Sequence, residues 1–345
     1  MRKYGACLAA LAVVMLVGST AVASAHTRQT HAKQGKQGFI VISKHHQRLS
    51  LYVQHGNRRG AHAAACPAGG PFTPAYCSAP MEQNLFGAYS WGSGSATFGS
   101  PSASVCRALG WSAPPCGVYT TQQNTLIAAF VGTSGSSVTV SCKMEDGGTC
   151  PVTFKKVKSA NGGGGDSEVW YADATNVITQ AKPIYVTATS SKGTDVSLQA
   201  ITFTNAITAG AGGAQATGIG NSSTCFSKSG APSCSVTTSE SDSLVWAALN
   251  NPREQTIPVW PSNQFAVGVS DSANDETFYS QFLGTCTANA NGSHPCTPMA
   301  LPPSGLYQNP FKLAPTPTSL AGTSVTINDT SPTNNPFNEV VVEIL

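Results

Sequence analysis

The chain has 345 residues, a formal net charge of +3, 34 glycines and only 10% charged residues. Gly, Ser, Thr and Ala dominate, a composition poor in strong helix formers that argues against a helical architecture and favours short strands joined by small-residue turns. At this length there is room for one large domain or two small ones.

Residues 1–25 read as a secretory leader: Arg2 and Lys3 open it, Leu8 to Val17 is its apolar stretch, and Ala23-Ser24-Ala25 is a small-residue cleavage site. The apolar stretch is too short to span a bilayer. Nothing later approaches a transmembrane run. Export is therefore expected, to the extracellular space or the cell surface.

Residues 26–79 form a basic, His-rich arm. Between His26 and Gly60 there are seven Lys or Arg residues and no acid, and six of the seven histidines fall between His26 and His62. The histidines have no regular metal-ligand spacing and read as solvated. One hairpin is expected in the arm, pairing Phe39 to Ser43 with Leu49 to Val53. This segment loosely resembles the opening hairpin of L,D-transpeptidases. No cysteine sits in the Ser-x-Gly-Cys-type motif such enzymes need, so the reading stays with a basic arm. A nucleic-acid partner would rest on this arm alone, and export argues against it. An anionic cell-wall polymer suits the compartment better.

The sandwich domain is expected over 80–345. Gly60 to about Ser100 reads as a loop-rich approach carrying Phe86, Tyr89 and Trp91. Strands then follow regularly. Leu126 to Val131 is an unbroken apolar run, as in a strand buried on both faces. Ser136 to Ser141 alternates with Val138 and Val140 on one face. Val152 and Phe154 alternate with Thr153 and Lys155. Glu168 to Tyr171 and Ile184 to Thr189 continue the pattern. In Val196 to Phe203, the apolar phase slips by one residue between Ala200 and Ile201, which predicts a β-bulge or a strand passing between two buried environments. Leu244 to Leu249, with Trp246, is again apolar on both faces. Phe265 to Val269, Thr277 to Leu283, Ser324 to Ile327 and Val340 to Ile344 complete the set. No segment keeps helical spacing over three turns. The expected fold is an all-β, antiparallel, jelly-roll-like β-sandwich. The glycine-rich stretches 162–165 and 210–220 read as exposed loops between strands.

Ten cysteines follow the leader and fall into five close couples: Cys66 and Cys77, Cys106 and Cys116, Cys142 and Cys150, Cys225 and Cys234, Cys286 and Cys296. No couple has Cys-x-x-Cys spacing, and an even count in an exported chain reads as a disulfide framework. Five local staples are expected, each worth roughly 2–3 kcal/mol in the chain-entropy model.

Several segments taken together resemble a known family: Asn124 to Val131, Ser167-Glu-Val-Trp-Tyr-Ala-Asp173, Ser197 to Asn205, Asp242-Ser-Leu-Val-Trp246, and Gly322 to Thr330 before the closing Val340 to Leu345. Their order and spacing are similar to a secreted bacterial β-sandwich domain of uncharacterised function, found in surface and extracellular proteins. The resemblance covers roughly residues 120–345. Its motifs are structural in character, and it supplies no catalytic residues to carry over. Where the family pattern carries a Gly-Asn-Asp-Trp-Asp-Asn-like turn, this chain has Ala247 to Glu254.

Chemistry is sparse. Paired carboxylates of a glycosidase are available at Glu145-Asp146, Asp166 and Glu168, Glu240 and Asp242, and Asp275-Glu276, all in turn-like surroundings that suit solvated acids. Asp271, Asn274, Asp275 and Glu276 place four oxygen donors within six residues, so Ca²⁺ is the one metal to look for and no other cofactor is expected. A serine hydrolase is disfavoured, since His294 is the only histidine beyond the arm and no Gly-x-Ser-x-Gly occurs. Trp111 and Trp260 lie in loop-like sequence and are the candidate ligand-binding aromatics for a sugar or a protein partner. The leading expectation is a non-enzymatic extracellular module whose partner is a cell-wall or extracellular polysaccharide or a surface protein. A carbohydrate-binding jelly roll is the alternative, and a glycoside hydrolase comes third.

Overall fold

The structure is a computed structural model. It describes the backbone of 42–44 and 47–49 and, from residue 81 to 345, all but short stretches, the longest being 207–216 and 288–303. The arm holds a hairpin, but with other strands than the expected Phe39–Ser43 and Leu49–Val53: β1 (Ile42–Lys44) pairs antiparallel with β2 (Gln47–Leu49), Ile42 opposite Leu49, and residues 39–41 and 50–53 lie outside the described residues.

The first half of the main body contains β3 (Met81–Ser90), β4 (Ser95–Phe98), the short helix α1 (Ala103–Ala108), β5 (Leu126–Thr133), β6 (Val138–Met144), β7 (Lys155–Ala160), β8 (Asp166–Asp173), β9 (Ile184–Ser190) and β10 (Val196–Thr204). The second half contains β11 (Ile219–Ser227), β12 (Ser233–Thr237), β13 (Leu244–Asn251), β14 (Gln264–Asp271), β15 (Thr277–Thr287), β16 (Ser304–Gln308), β17 (Lys312–Pro315), β18 (Ser324–Asn328) and β19 (Phe337–Ile344). Every pairing between these strands is antiparallel.

The sheets stack in four layers, and the apolar pattern explains why. One central sheet runs β16-β3-β10-β5-β8-β7 and the other β11-β19-β13-β15-β14. Leu126, Ala128, Phe130, Ile201 and Phe203 of the first pack against Trp246, Phe265, Phe282 and Val342 of the second. The opposite face of the first sheet, with Ile127, Ala129, Leu198 and Ala200, is covered by the outer sheet β4-β9-β6 through Phe98, Val140, Val186 and Ala188. The far face of the second, with Val245, Ala247 and Val341, is covered by β12-β18 through Val236, Val325 and Ile327. Strands of a central sheet are therefore buried on both sides. That is why β5 and β13 read as unbroken apolar runs, since alternation survives only where one face meets water. Every residue of both strands is buried. The phase slip in β10 has the same origin: Leu198 and Ala200 serve one core, Ile201 and Phe203 the other. Its register against β3 also shifts between Thr202 and Phe203.

The two halves share a strand order. In each, the first strand neighbours the last (β3-β10, β11-β19), and the last neighbours the third (β5, β13). The third neighbours the later strand of a hairpin (β7-β8, β14-β15), whose earlier strand lies at the edge. Where the first outer sheet has β6 beside β9, no strand pairs with the free side of β18 among the described residues. Gln264 fills that edge with its side-chain amide. Its Nε2 donates to the carbonyl of Thr326 (3.0 Å), and its Oε1 accepts from the N–H of Asn328 (3.0 Å). One amide thus reproduces a rung of the missing ladder and satisfies groups that would otherwise be left open.

Backbone approaches between the halves are close. A Cβ on Gly132 of β5 would lie 2.4 Å from the Phe278 ring of β15, and one on Gly165 would lie 2.8 Å from Asn250 Nδ2 of the other half as well as 2.5 Å from the Thr133 carbonyl of its own. Gly165 also has φ +64°, a backbone that disfavours side chains. Hydrogen bonds cross the same seam. Asn338 Nδ2 donates to the Gly164 carbonyl (2.7 Å), Ser167 Oγ to the Asn338 carbonyl (3.0 Å), and Gln199 Nε2 to the Val267 carbonyl (3.0 Å). In the loop after β7, Gly162 and Gly164 are exposed, as expected, and Gly162 and Gly165 also lie close to Phe226 and Asn250 of the other half.

The structure corrects several details. Met81 to Phe98 is not a loop-rich approach but holds strands β3 and β4. Among the described residues one helix occurs where none was expected, α1, which carries Cys106. Val152 and Phe154 are buried but precede the strand that starts at Lys155.

Candidate functional site

Three of the five expected cystine staples are present: Cys106–Cys116, Cys142–Cys150 and Cys225–Cys234, with Cα separations of 5.4, 5.4 and 5.5 Å. The first closes the segment that follows α1, the second the turn after β6, and the third joins β11 to β12 across the step from central to outer sheet. Cys66, Cys77 and Cys296 lie outside the described residues, as does the Cys286 side chain.

Of the acids singled out in the sequence, Asp166 and Glu168 are brought together. They stand two residues apart on β8, so both point to the same face, inward toward the outer sheet β4-β9-β6. Glu168 has no exposed surface and Asp166 is 1% exposed. Burying a carboxylate is costly unless donors surround it, and Glu168 has three. Lys156 Nζ reaches Oε1 from the edge strand β7 at 2.6 Å, the Val138 N–H reaches the same oxygen at 3.1 Å, and Trp170 Nε1 reaches Oε2 at 2.6 Å. The Lys156 ammonium also sits 5.1 Å from the Trp170 ring centre. Asp166 is treated differently. Neither of its oxygens meets a donor. Burial, and then the neighbouring Glu168 carboxyl, push its pKa up to about 8 against the pull of Lys156. Asp166 therefore holds a proton near neutral pH, which a carboxyl beside a carboxylate can donate to its neighbour.

This arrangement does not suit glycoside hydrolysis. The two carboxyls lie side by side on one strand, whereas glycoside hydrolysis needs them facing each other across the scissile bond. Three donors already hold Glu168, and neither carboxyl has surface open to a sugar.

The other candidates are separated. Glu145 and Asp146 occupy the turn closed by Cys142–Cys150, where Asp146 Oδ1 accepts the Gly148 N–H (3.0 Å). Glu240 and Asp242 lie in the turn before β13, Asp242 with φ 60°, and burial followed by the charge of Glu343 raises Glu240. Asp271 ends β14, Asn274 and Asp275 fall outside the described residues, and Glu276 is buried, its pKa pushed up to about 7 by burial and then by Asp195. Among the described residues no three His, Cys, Asp or Glu side chains converge in a metal-holding group, and no helix is long and apolar enough to cross a membrane. Trp111 lies outside the described residues. Trp260 is half-buried, its ring packed edge-to-face on Phe265 at 5.5 Å, so much of its surface serves the core.

Sequence reasoning missed two acids on β19. Glu343 is fully buried and accepts from Asn221 N (2.9 Å), Ser239 N (2.9 Å), Ser239 Oγ (2.8 Å) and Glu240 N (3.1 Å), locking the turn before β13 to the sheet. Glu339, on the same face, is equally buried, with no donor to either oxygen. The visible signal was an acid in phase with valines in Asn-Glu-Val-Val-Val-Glu-Ile.

Comparison with known protein families, with curated proteins and with solved structures finds no match to this chain.

Proposed function

We propose that the chain is an exported, non-enzymatic module that serves a structural or interaction role outside the cell or at its surface. The observation that carries this reading is the use of Glu168. The one ion pair among the described residues joins an edge strand to its neighbour and holds the carboxylate buried, with no surface open to a substrate. The leader-like residues 1–25, the cystine staples and the resemblance to secreted β-sandwich domains support the compartment. The repeated strand order supports a finer architectural reading, in which each half is a jelly-roll-like sandwich and the two are joined through their central sheets. The partner is an anionic or neutral cell-wall polysaccharide or a surface protein, met by the basic arm and the stapled loops.

The test is a panel of polysaccharides and peptidoglycan incubated with the purified full chain. No product release together with retention on an insoluble cell-wall fraction is expected. Turnover of any member of the panel overturns the proposal.

A further inference from the structure

We propose that Tyr279, Gln281, Asp329 and Glu339 form a buried site for a hard divalent cation, calcium by donor chemistry, which ties the outer β12–β18 sheet to its central sheet. The site is distinct from the Asp271–Glu276 run.

The register sets the geometry. Leu249 of β13 lies opposite Tyr279 of β15 on one side and Glu339 of β19 on the other. Tyr279 and Glu339 therefore flank Leu249 on the face turned toward β12–β18. Gln281 stands two residues beyond Tyr279 on that face. Asp329 directly follows β18 and belongs to the outer layer. The Tyr279 hydroxyl donates to Asp329 Oδ2 across the gap between layers. Asp329 is near enough to Glu339 for their charges to interact, and Gln281 lies beside Asp329.

The donor count points to a cation. Gln281 spends its amide hydrogens on the Gln264 Oε1 (2.7 Å) and on the Asn328 carbonyl (3.0 Å). Its Oε1 is left without a partner, as are Asp329 Oδ1 and both oxygens of Glu339. All four are acceptors. Gln281 and Glu339 are 0% exposed, and Asp329 is 4% exposed. Buried polar atoms are satisfied in the great majority of cases, and exceptions signal an ion or water that completes them. Protonating both carboxyls, the direction in which burial drives them, would turn two of these oxygens into donors for the other two. A cation serves all of them at once. Glu343, on the same strand and face, shows how this sheet satisfies a purely structural carboxylate, with four donors; Glu339 receives none. The donor set holds no sulfur or nitrogen, which disfavours zinc and copper. Two carboxylates, an amide oxygen and a phenol suit calcium, with water completing its six to eight oxygens.

The test uses the full chain with its disulfides intact. Elemental analysis of protein purified without chelator should find calcium. Removing it should lower Tm by several degrees, and adding it back should restore the loss. Glu339→Gln should abolish that response, whereas Glu276→Gln should keep it. Terbium should displace calcium and emit when tyrosine is excited, with a marked loss of emission in Tyr279→Phe. The proposal is overturned by a Tm indifferent to calcium well above the ~10⁻³ M of weak extracellular sites. It is overturned equally if Glu339→Gln gains stability in a wild-type background that binds no metal, the outcome expected of shared protons alone. If Glu339→Gln does not fold, the wild-type metal content and terbium emission decide. A response lost in Glu276→Gln and kept in Glu339→Gln would place the cation elsewhere and overturn the site.

Discussion

Asp166→Asn should separate stability from pH in a way that a surface acid would not. Asp166 carries its proton up to about 8 in the fold, against roughly 3.9 for an unstrained aspartate. The folded state therefore binds this proton more tightly than the unfolded chain does. Stability from this group is fully present below about pH 4 and is lost as pH climbs through about 8. At 1.36 kcal/mol per pH unit, the interval corresponds to on the order of 5 kcal/mol if nothing relaxes. Lys156, 34% exposed, can follow the new charge and admit solvent, so a loss of about 2–4 kcal/mol is the working figure. Asn keeps the shape and offers an N–H where the carboxyl offered its O–H to Glu168. Urea denaturation at pH 5, 7 and 9 should find the variant within about 1 kcal/mol of wild type at pH 5. It should be clearly more stable at pH 9, with equal m-values. Glu276 is shifted in the same direction, so wild type alone should also weaken with rising pH. A wild type that gains stability from pH 5 to pH 9, or a variant whose curve runs parallel to it, would refute the reasoning.

Other substitutions probe the seam and the edge. Gly132→Ala places a methyl against the Phe278 ring and should cost roughly 1–3 kcal/mol by overpacking, read as a fall in Tm. Gln264→Ala strips partners from the Asn328 N–H and the Thr326 carbonyl. It should cost about 1–3 kcal/mol and produce concentration-dependent self-association on size exclusion, because the free side of β18 is then open. Gln264→Glu should be as harmful, since a carboxylate cannot donate to Thr326. Replacing Cys225 and Cys234 by Ser should cost roughly 2–3 kcal/mol, and peptide mapping of unreduced wild type should show the sequential pairs alone. A long-range cross-link would break the local-staple scheme.

Legibility in the sequence followed the environment of each strand. Runs such as Leu126 to Val131 and Leu244 to Leu249 announced two buried faces. The slip at Ala200–Ile201 announced a change of core partner within one strand. The outer strands β6, β9 and β18 alternated because one face meets solvent. What the sequence hid was the pairing of halves. Nothing local in Leu126-Ile-Ala-Ala-Phe-Val-Gly-Thr133 says that its second neighbour is another central sheet rather than a helix or an outer layer. Nothing around Gly132 in the sequence signals that it makes room for the Phe278 ring. Hidden too was the fate of the acids. Asp166 and Glu168 looked solvated beside four glycines, because only the fold shows that Lys156 and Trp170 close over them. Glu339 and Glu343 were hidden in plain sight, two acids in step with buried valines. The short helix α1 is below the length at which periodicity speaks.

The seam between the halves has a consequence for how this protein comes apart. Each half repeats the other's strand order, which suggests units that could be cut and pasted. Yet Trp246 stacks on Phe282 and touches Phe130 and Phe203 across the divide, and Gly132 admits Phe278 with no room to spare. Either half alone would present a broad apolar sheet to water. The unit of repetition is therefore smaller than the unit of cooperative unfolding. A chain break engineered between β10 and β11 should leave two fragments that stay together until the whole body melts.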